Sequence, residues 1–456
     1  MKHRPADRRS RNLGIALLLV ALAVSPAVAH DDHPPKKVLD EALYRSTAMP
    51  DRIILTWSGD PARSQAVTWR TDTSVNKAIA QIAPAEPGPG FVNKANEHAA
   101  ATTPHESDLG TAHYHSVNFQ QLEPATKYAY RVGDGVNWSE WFQFQTAAVE
   151  PAPFSFIYFG DAQNSVREHW SRVIREAHSD APKARFMIHA GDLINSGNRD
   201  AEWGEWFGAG GWLNAMVPSV PTPGNHEYPR DSRQPLAARR LSHHWRPQFT
   251  LPTNGPQGLE ETVYTIDYQG TRIISLNSNE QQPEQVAWLE AALADNPNTW
   301  TIVTFHHPVY STSRGRDNPE IRKLWKPLFD KHRVDLVLQG HDHAYARFSQ
   351  QLTENVPSGA NVRSPEGGTV YVVSVSGPKM YELERRPDMR RAAENTQLYQ
   401  IISVEGDALR YEARTATGEL YDAFRLNKRP GQINELVDAI PDTPERRRSE
   451  AESRKN

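Results

Sequence analysis

Residues 334–343 read Val-Asp-Leu-Val-Leu-Gln-Gly-His-Asp-His. The run 334–338 is aliphatic apart from one aspartate, which predicts a buried β-strand. Gly340 then permits a tight turn, and His341 and His343 follow it two residues apart. Both imidazoles can therefore face one point beyond the carboxyl end of the strand. Because imidazole is the commonest protein ligand for transition metals, the stretch predicts a metal-binding pair.

Four upstream stretches have the same architecture, an apolar run that ends in a polar cluster. The clusters are Gly160-Asp161-Ala162-Gln163, Gly191-Asp192-Leu193-Ile194-Asn195, Pro223-Gly224-Asn225-His226-Glu227 and His306-His307-Pro308. In open α/β sheets, ligands bind beyond the carboxyl ends of the strands. One aspartate after a strand is usually a turn residue or a helix N-cap. Five polar clusters at successive strand ends instead predict one shared site.

The apolar runs alternate with amphipathic stretches, which predicts an α/β core whose strands are buried on both faces. The predicted strands are 154–159, 185–189, 217–221, 272–276, 301–305 and 334–338, and the predicted helices are 165–177, 199–216, 283–294 and 319–331. Later runs predict further, antiparallel strands at 369–375, 398–404, 408–413 and 419–426.

Residues 47–148 have a different pattern, with short alternating runs between Gly, Pro and Asn. The clearest runs are 53–57, 66–69, 113–119, 127–132 and 141–144. Short strands separated by turn residues predict an all-β sandwich. This region shows no catalytic constellation, so we interpret it as a structural or spacing module. Pro151 and Pro153 mark its boundary with the core.

Residues 1–29 predict a secretory signal peptide. A basic segment is followed by the apolar run 13–24 and by Ala27-Val28-Ala29, which fits the small-residue cleavage rule. That run is too short to span a membrane, and we expect no membrane span elsewhere. The pair Arg8-Arg9 leaves twin-arginine export as an alternative to the general route. We therefore expect an exported protein, periplasmic or secreted, with a linker at 30–46.

Charge and composition exclude several classes of function. Removal of the signal peptide takes away five of 51 basic residues and one of 55 acidic residues, which leaves a net charge of −8. A mildly acidic protein is a poor candidate for general nucleic-acid binding. The chain has no cysteine, so disulfides and thiol chemistry are excluded. The charged segment 428–456 predicts a disordered tail.

Carboxylate, imidazole and amide side chains together suit the hydrolysis of a phosphate ester by two metal ions. A carboxylate that bridges two ions holds them roughly 3.5–4 Å apart, as in two-metal hydrolases. A metal-bound hydroxide can then attack phosphorus in line. Neutral His and Asn ligands keep the site positive, so that it attracts a phosphate dianion.

The order of the motifs, GD, GD, GNHE, HHP and GHDH, resembles that of the calcineurin-like metallophosphoesterase superfamily. The nearer resemblance, over nearly all of the predicted mature chain, is to purple acid phosphatases and their bacterial relatives. It implies an α+β fold over residues 149–427, an αββα sandwich of mixed sheets flanked by helices. It also implies that the all-β sandwich at 47–148 is a fibronectin-III-like domain.

The resemblance further implies roles for individual residues. The ligands would be Asp161 and His343 on the first metal, Asp192 as the bridge, and Asn225, His306 and His341 on the second metal. His226 would contact the phosphate and could protonate the leaving oxygen as a general acid. Its alternative role is to orient Asp192 or Glu227. His307 would be a neighbour of the ligands or a wall of the site.

Several positions depart from the purple acid phosphatase pattern. The family's Tyr three residues after the bridging Asp is Asn195 here, and the His two residues after the first Asp is Gln163. Either amide oxygen, or water, could complete the first site, and we predict a protein that is not purple. The family also has a further His downstream of its His-x-Pro motif. That His is absent here, and the segment after Pro308 contains Arg314 and Arg316 instead. We consider Arg316 and His307 as phosphate-binding candidates.

The segment 230–258 contains one acid, Asp231, and many basic residues, among them Arg230, Arg233, Arg239 and Arg240. We predict a lid over the site that attracts anionic substrates. The alternative is a solvated loop or a surface helix.

These observations predict an exported phosphoesterase that hydrolyses small phosphate esters in the manner of an acid phosphatase. Its cofactors would be two metal ions drawn from Fe, Mn and Zn, and its partner a small phosphate ester, without nucleic acid. The alternatives are a phosphodiesterase of the same fold and a non-catalytic module that binds phosphate or a glycan. The full set of six ligands favours an enzyme over a binding module.

Overall fold

The computed structural model describes residues 37–230, 239–348, 353–355, 361–363, 368–429 and 431–448. The predicted signal peptide and residues 30–36 of the predicted linker lie outside these ranges. Within them, none of the helices has the length and apolar character needed to cross a membrane. A short helix, α1 (Asp40–Tyr44), precedes the first domain.

The first domain is a β sandwich of two four-stranded antiparallel sheets. Its strands are β1 (Asp51–Thr56), β2 (Gln65–Thr71), β3 (Ile79–Pro84), β4 (Asn96–Ala99), β5 (Ala101–Ser107), β6 (Gly110–Phe119), β7 (Lys127–Gly133) and β8 (Phe142–Gln145). The strand orders are β1-β2-β6-β5 and β4-β3-β7-β8. Trp69 and Tyr130 are fully buried between the sheets. The predicted all-β sandwich is confirmed, although the sequence pattern missed β3, β4 and β5.

The second domain contains two seven-stranded mixed sheets. Its strands are β9 (Phe154–Phe159), β10 (Met187–His189), β11 (Ser219–Pro221), β12 (Tyr264–Tyr268), β13 (Thr271–Ser275), β14 (Trp300–Phe305), β15 (Leu336–Gln339), β16 (Tyr345–Phe348), β17 (Thr353–Asn355), β18 (Asn361–Arg363), β19 (Val370–Val373), β20 (Met389–Ala393), β21 (Leu398–Glu405), β22 (Ala408–Thr415), β23 (Leu420–Asn427) and β24 (Glu435–Asp438). The sheet orders are β11-β10-β9-β21-β22-β23-β24 and β12-β13-β14-β15-β19-β16-β20, and β17 pairs with β18.

Helices cover the outer faces of the two sheets. They are α2 (Ser171–Asp180), α3 (Asp200–Gly210), α4 (Trp245–Gln248), α5 (Gln285–Ala294) and α6 (Pro319–Lys331), with a π turn at Val166–Trp170 and a 3-10 turn at Gly211–Leu213. Side chains alternate along the strands: Ile302 and Leu336 pack toward the other sheet, whereas Val303 and Val337 pack with residues of α5 and α6. The predicted αββα sandwich is therefore confirmed.

Parallel pairing determines where the polar clusters meet. Strands β9, β10 and β11 are parallel, with Met187 opposite both Ile157 and Ser219. Strands β13, β14, β15 and β19 are also parallel to one another. Residues that directly follow these strands therefore lie at the carboxyl edge of a sheet, where α/β proteins bind ligands.

The two domains share a buried, ion-paired junction. From β1 and β2, Arg52 and Arg70 contact Asp200 at the start of α3, with nitrogen–oxygen distances of 2.6 and 3.0 Å. The Tyr130 hydroxyl donates to the Ala215 carbonyl at 2.6 Å. Because these charges are buried, removal of the Asp200 carboxylate would leave Arg52 without its partner, which costs about 3–5 kcal/mol.

The predicted disordered tail, 428–456, needs correction. Its strand β24 pairs with β23 and extends the first sheet. Lys428 Nζ donates to Asp335 Oδ1 at 2.6 Å, and Glu445 pairs with Arg385 at 2.9 Å. Glu435 and Asp438 lie on this edge strand, where charged side chains discourage pairing with other chains. Other charges of the tail, such as Lys428 and Glu445, form ion pairs with the second domain. Residues 449–456 lie outside the described ranges.

Candidate metal centre

All six predicted metal ligands lie at the carboxyl edge of the sheets. Each follows the expected strand: Asp161 follows β9, Asp192 follows β10, Asn225 follows β11, His306 follows β14, and His341 and His343 follow β15. Asp161, Asp192 and His306 are buried and offer ligand atoms within 4.8 Å of one another. The structure therefore brings together the residues that the motifs predict.

The second-metal half of the centre comprises Asn225, His306 and His341. The Nδ1–H of His306 donates to the Ala190 carbonyl at 2.9 Å, so its Nε2 faces the site. This Nε2 lies 3.1 Å from Asp192 Oδ2, from Asn225 Oδ1 and from His341 Nδ1. Burial opposes a charged imidazole, but the neighbouring carboxylates raise the pKa of His306 to about 9. The surroundings thus favour a positive charge at this point.

The first-metal half comprises Asp161, Gln163 and His343. The Nδ1–H of His343 donates to the Lys379 carbonyl at 2.9 Å, which leaves the Nε2 lone pair 3.0 Å from Asp161 Oδ2. Two acceptors cannot hydrogen-bond to each other, so a cation fits between them. Gln163 Nε2 lies 2.9 Å from Asp192 Oδ2 and 3.0 Å from His343 Nε2. Among the described residues, Asp161 Oδ2 and Gln163 Oε1 are buried acceptors without a hydrogen-bond partner, which also fits a metal ion.

Glycines and two unusual backbone conformations permit this close approach. Asp192 and His341 adopt positive φ angles of +50° and +72°, a conformation that costs roughly 1–3 kcal/mol for a residue other than glycine. A Cβ at Gly224 would lie 2.2 Å from Asp192 Oδ1, and one at Gly340 would lie 2.2 Å from Asp161 Oδ1. The motif glycines are therefore required because the ligands pack directly against them.

Glu227 is a residue of the centre to which the sequence analysis gave no role of its own. Its buried carboxylate accepts from the backbone N–H groups of Gly224, Asp192 and Leu193 at 2.7, 2.9 and 3.0 Å. Burial and the charge of Asp192 raise the pKa of Glu227 to about 8, although the N–H donors favour its ionised form. Glu227 fixes the turn that carries Asp192 against the turn that carries Asn225. The sequence signal that could have identified Glu227 is its position as the last residue of the GNHE motif.

His226 has a side chain that is 23% exposed and lines the cavity beside the cluster. Its Nδ1–H donates to the Asn195 carbonyl, which leaves Nε2 on the other side of the ring, 3.9 Å from Asp192 Oδ2. The backbone N–H of His226, rather than its imidazole, donates to Asp192 Oδ1 at 2.8 Å. This geometry suits contact with a substrate better than the alternative role of orienting Asp192.

Asn195 does not offer its side chain to the cluster. Its Oδ1 accepts from Asn164 Nδ2 at 3.0 Å, and its Nδ2 donates to Ser196 Oγ at 3.3 Å. The backbone N–H groups of Asn195 and Ser196 both donate to Glu202 Oε2, at 2.9 and 2.8 Å, which ties this turn to α3. Of the two amides considered for the first metal, the structure places only Gln163 in the cluster.

The cluster opens into a cavity of about 260 Å³. Its walls are formed by Gln163, Asp192, Asn225, His226, Arg239, His307, Arg316, His341, His343 and Tyr381. Arg316 is held in place because its Nε donates to Asp342 Oδ1 at 2.7 Å and its Nη2 donates to the His341 carbonyl at 3.0 Å. Arg314 is not part of the wall, since its side chain is 89% exposed and lies near Glu384. The described part of the cavity wall thus contains two arginines, Arg239 and Arg316.

His307 forms a wall beside the second-metal half. Its Nδ1 lies 2.8 Å from Ser278 Oγ, and its ring centroid is 4.2 Å from that of His341. Burial and the neighbouring His306 lower the pKa of His307 to about 3, so its imidazole is neutral at pH 7. Any contact of His307 with phosphate would therefore be a hydrogen bond rather than an ion pair.

Tyr381 is a further wall residue, and it belongs to no motif that would have predicted its place. Its ring stacks on that of His343, with the centroids 4.4 Å apart, and the Arg316 guanidinium lies 4.8 Å from its centroid. Its backbone N–H donates to the His343 carbonyl at 2.9 Å. Tyr381 therefore links a predicted ligand to a predicted phosphate-binding residue.

The segment 230–258, predicted to be a lid, is described in part. Residues 231–238, which include Arg233, lie outside the described ranges, and Arg239 lies in the cavity wall. The later part is not a lid, because α4 begins with Trp245, which is fully buried in the main core. The prediction of a lid relied on the basic residues of this segment. Its later part is instead core because its aromatic residues are buried.

Known proteins share this fold, and two family models match the chain. The family model "Purple acid Phosphatase, N-terminal domain" matches residues 50–146, and the model "Calcineurin-like phosphoesterase" matches residues 154–345. Together they cover more than half of the chain. The structure of purple acid phosphatase PPD1 from yellow lupin (Lupinus luteus) aligns with a TM-score of 0.70 and 18% identity, over 84% of this chain and 75% of that chain.

Two relatives illustrate the range of similarity. Fe(3+)-Zn(2+) purple acid phosphatase 12 of Arabidopsis thaliana is 25% identical over 82% of this chain and 83% of its own length. An uncharacterized protein of Mycobacterium tuberculosis is 26% identical over 64% of this chain. The matched region spans 61% of that relative's length. The fold and the family matches thus place the chain in the metallophosphoesterase family, with an Asp/His cluster that could bind metal. The chain belongs to the calcineurin-like phosphoesterases, as a purple acid phosphatase-like member with an N-terminal β domain.

Proposed function

We propose that the protein is an exported, metal-dependent phosphatase that hydrolyses small phosphate monoesters in the manner of an acid phosphatase. The observation that carries this proposal is the set of acceptors that face one another, such as His343 Nε2 and Asp161 Oδ2, beside a cavity walled by two arginines. Such a site favours cations within it and an anionic substrate next to them. The names of the purple acid phosphatase relatives support the same class of reaction.

Each half of the centre would hold one metal ion. The first ion would be held by Asp161, Gln163 and His343, the second by Asn225, His306 and His341, and both by Asp192. Two ions bound there would supply positive charge for the phosphate and an activated water as the nucleophile. Because one relative is named as an Fe(3+)-Zn(2+) enzyme, iron and zinc are the first ions to test, followed by manganese.

The arginines of the wall would select the charge of the substrate. Arg316 is positioned before the substrate arrives, so binding a phosphate oxygen costs it little further ordering. Arg239 contributes a second positive charge. Two guanidinium groups suit a dianionic monoester better than a monoanionic diester. His226 would carry the proton for the leaving oxygen on Nε2, because the Asn195 carbonyl keeps Nδ1 as a donor.

The test is hydrolysis by the purified mature protein after chelation and re-addition of Fe, Mn or Zn. We expect metal-dependent turnover of p-nitrophenyl phosphate in preference to bis(p-nitrophenyl) phosphate. Turnover should be lost in Asn225→Ala and His341→Ala and kept in His169→Ala, which removes an exposed histidine of the π turn. Preference for the diester would indicate a phosphodiesterase. A folded protein that binds phosphate without turnover would indicate the non-catalytic module.

Export is tested separately, by N-terminal sequencing of protein recovered from the periplasm or the medium. We expect the mature chain to begin after Ala29, at the end of the predicted cleavage motif. A chain that accumulates in the cytoplasm with Met1 and residues 2–29 intact would contradict this part of the proposal.

A further inference from the structure

Outside the phosphoesterase centre, three histidines meet where the β sandwich contacts the second domain. His105 belongs to β5, whereas His243 and His244 directly precede α4. One ring nitrogen of each histidine lies within 4.8 Å of those of the other two. The ring centroids are 4.9 Å apart for His105 and His243, 4.5 Å for His105 and His244, and 4.4 Å for His243 and His244. Three imidazoles from two domains therefore converge on one point.

Protein atoms alone leave this cluster incompletely satisfied. His105 and His244 are buried, and His105 Nε2 lies 3.0 Å from His244 Nδ1, so one of these two nitrogens carries the proton they share. The remaining nitrogen of His244, Nε2, is buried without a hydrogen-bond partner among the described residues, but it lies on the other side of the ring, so Nδ1 is the atom that an ion shared with His105 would bind. Burial, together with the adjacent imidazoles, lowers the pKa of His105 to about 4 and that of His244 to about 3. Both imidazoles are therefore neutral at pH 7, which is the form that binds metal.

The charges around the cluster permit a cation there. Asp200 Oδ1 lies 3.7 Å from His244 Nδ1, close enough to stabilise a cation bound by the ring. Asp200 also pairs with Arg52 and Arg70, and Arg70 pairs with Asp51 at 2.6 Å. These two carboxylates and two guanidinium groups balance, so an incoming ion meets no net positive charge from them.

We propose that His105, His243 and His244 form a third metal site, which takes one transition-metal ion of the zinc class and ties the β sandwich to the second domain. Three imidazoles with one position left for water are a common ligand set for tetrahedral zinc. Zinc–nitrogen bonds of about 2.0–2.1 Å in a tetrahedron place two ligand nitrogens roughly 3.3 Å apart, close to the observed 3.0 Å.

The position of the site suggests what the ion would do. His243 follows Arg239 by four residues, and Arg239 lies in the wall of the catalytic cavity. An ion held by His243 and His244 would therefore anchor the segment that carries this arginine to β5 of the sandwich. This consequence rests on the proposed phosphatase function, whereas the existence of the site does not.

The first test counts zinc ions per chain. Full-length mature protein is stripped, saturated with zinc, freed of loosely bound ions by gel filtration and analysed by inductively coupled plasma mass spectrometry. We expect His243→Ala and His105→Gln to retain one zinc fewer than the wild type, and the control His169→Ala to retain the same number. His243 is exposed, so its replacement leaves the core intact, and glutamine at 105 keeps a polar side chain there.

The number of zinc ions per chain distinguishes the three-histidine site from the two metal sites of the proposed phosphatase. Three ions in the wild type and two in the variants would support both sites, and one ion in the wild type and none in the variants would support the histidine site alone. Equal zinc content in the wild type and in both variants would overturn the third site. Thermal unfolding with increasing zinc gives a second readout. Zinc should raise the Tm of His243→Ala and His105→Gln by less than it raises the Tm of the wild type and of His169→Ala.

Discussion

The two halves of the phosphoesterase centre differ in how the chain builds them. In the second-metal half, the imidazole of His306 is oriented by a backbone carbonyl, and its Nε2 lies 3.1 Å from Asn225 Oδ1 and His341 Nδ1. In the first-metal half, the amide of Gln163 lies between Asp192 and His343, at the position where the family pattern has histidine. Each half contains one amide, but Asn225 presents its oxygen to His306 Nε2, whereas Gln163 presents its nitrogen to Asp192 and His343 and would have to turn its oxygen toward an ion. An amide oxygen is also a weaker ligand for zinc or iron than the imidazole of the family pattern. The comparison indicates one half that binds its ion tightly and another that exchanges it more readily.

The largest effect is expected from Asp192→Asn, because Asp192 is the carboxylate that both halves share. Asparagine has nearly the same size but removes the negative charge that would hold two cations. We expect turnover to fall by more than the roughly 10–100-fold typical of residues that only support metal ligands. Metal content measured on the same samples should fall as well. Unchanged metal content would show that the halves bind their ions independently of this residue.

The asymmetry itself is tested by removing one ligand from each half. We expect Asn225→Ala to weaken one ion by more than about 100-fold and Gln163→Ala to weaken the other by only about 10-fold, which are the losses above and at the lower end of the range for residues that support metal ligands. Calorimetric titration of the stripped proteins measures both affinities, with His169→Ala as the control. Equal losses, or a larger loss in Gln163→Ala, would remove the distinction between the halves.

A smaller effect, in the opposite direction, is expected from Gln163→His. An imidazole at this position would restore the family pattern and should tighten the first ion by about 10-fold, because it is the better ligand for zinc and iron. The same titration measures the gain, and Gln163→Asn, with a shorter amide, serves as the control. Weaker binding in Gln163→His would mean that the amide is needed for its contacts with Asp192 and His343.

The residues of the second-metal half could be predicted from the sequence because each lies shortly after the end of a strand. Parallel pairing then brings such residues to one edge without further information. The first-metal half was less predictable, since Gln163 and Asn195 are both amides close behind a motif aspartate. Only the folded backbone distinguishes them, because Glu202 holds the turn of Asn195 away from the cluster.

Other parts of the site depend on contacts that no local pattern records. Tyr381 stacks on His343 from a loop without a motif, and Arg239 reaches the cavity from a segment whose later part is core. The charged residues after Asn427 indicated a tail, yet β24 pairs there with β23. In each case a local sequence pattern describes one element only. The position of the residue or strand depends on packing against an element that is distant in sequence.

The smallest effect concerns colour, for which we expect no strong visible band on loading the first-metal half with Fe³⁺. The colour of the purple enzymes comes from a tyrosine at the position of Asn195, whose side chain here bonds to Asn164. Tyr381 is the one tyrosine among the described residues of the cavity wall, and its ring lies flat against His343, where it supports a ligand. Iron-loaded wild type and Tyr381→Phe should therefore give the same spectrum, without a strong visible band. A band in the wild type that disappears in Tyr381→Phe would make Tyr381 an iron ligand, and the first-metal half would then be as strongly built as the second.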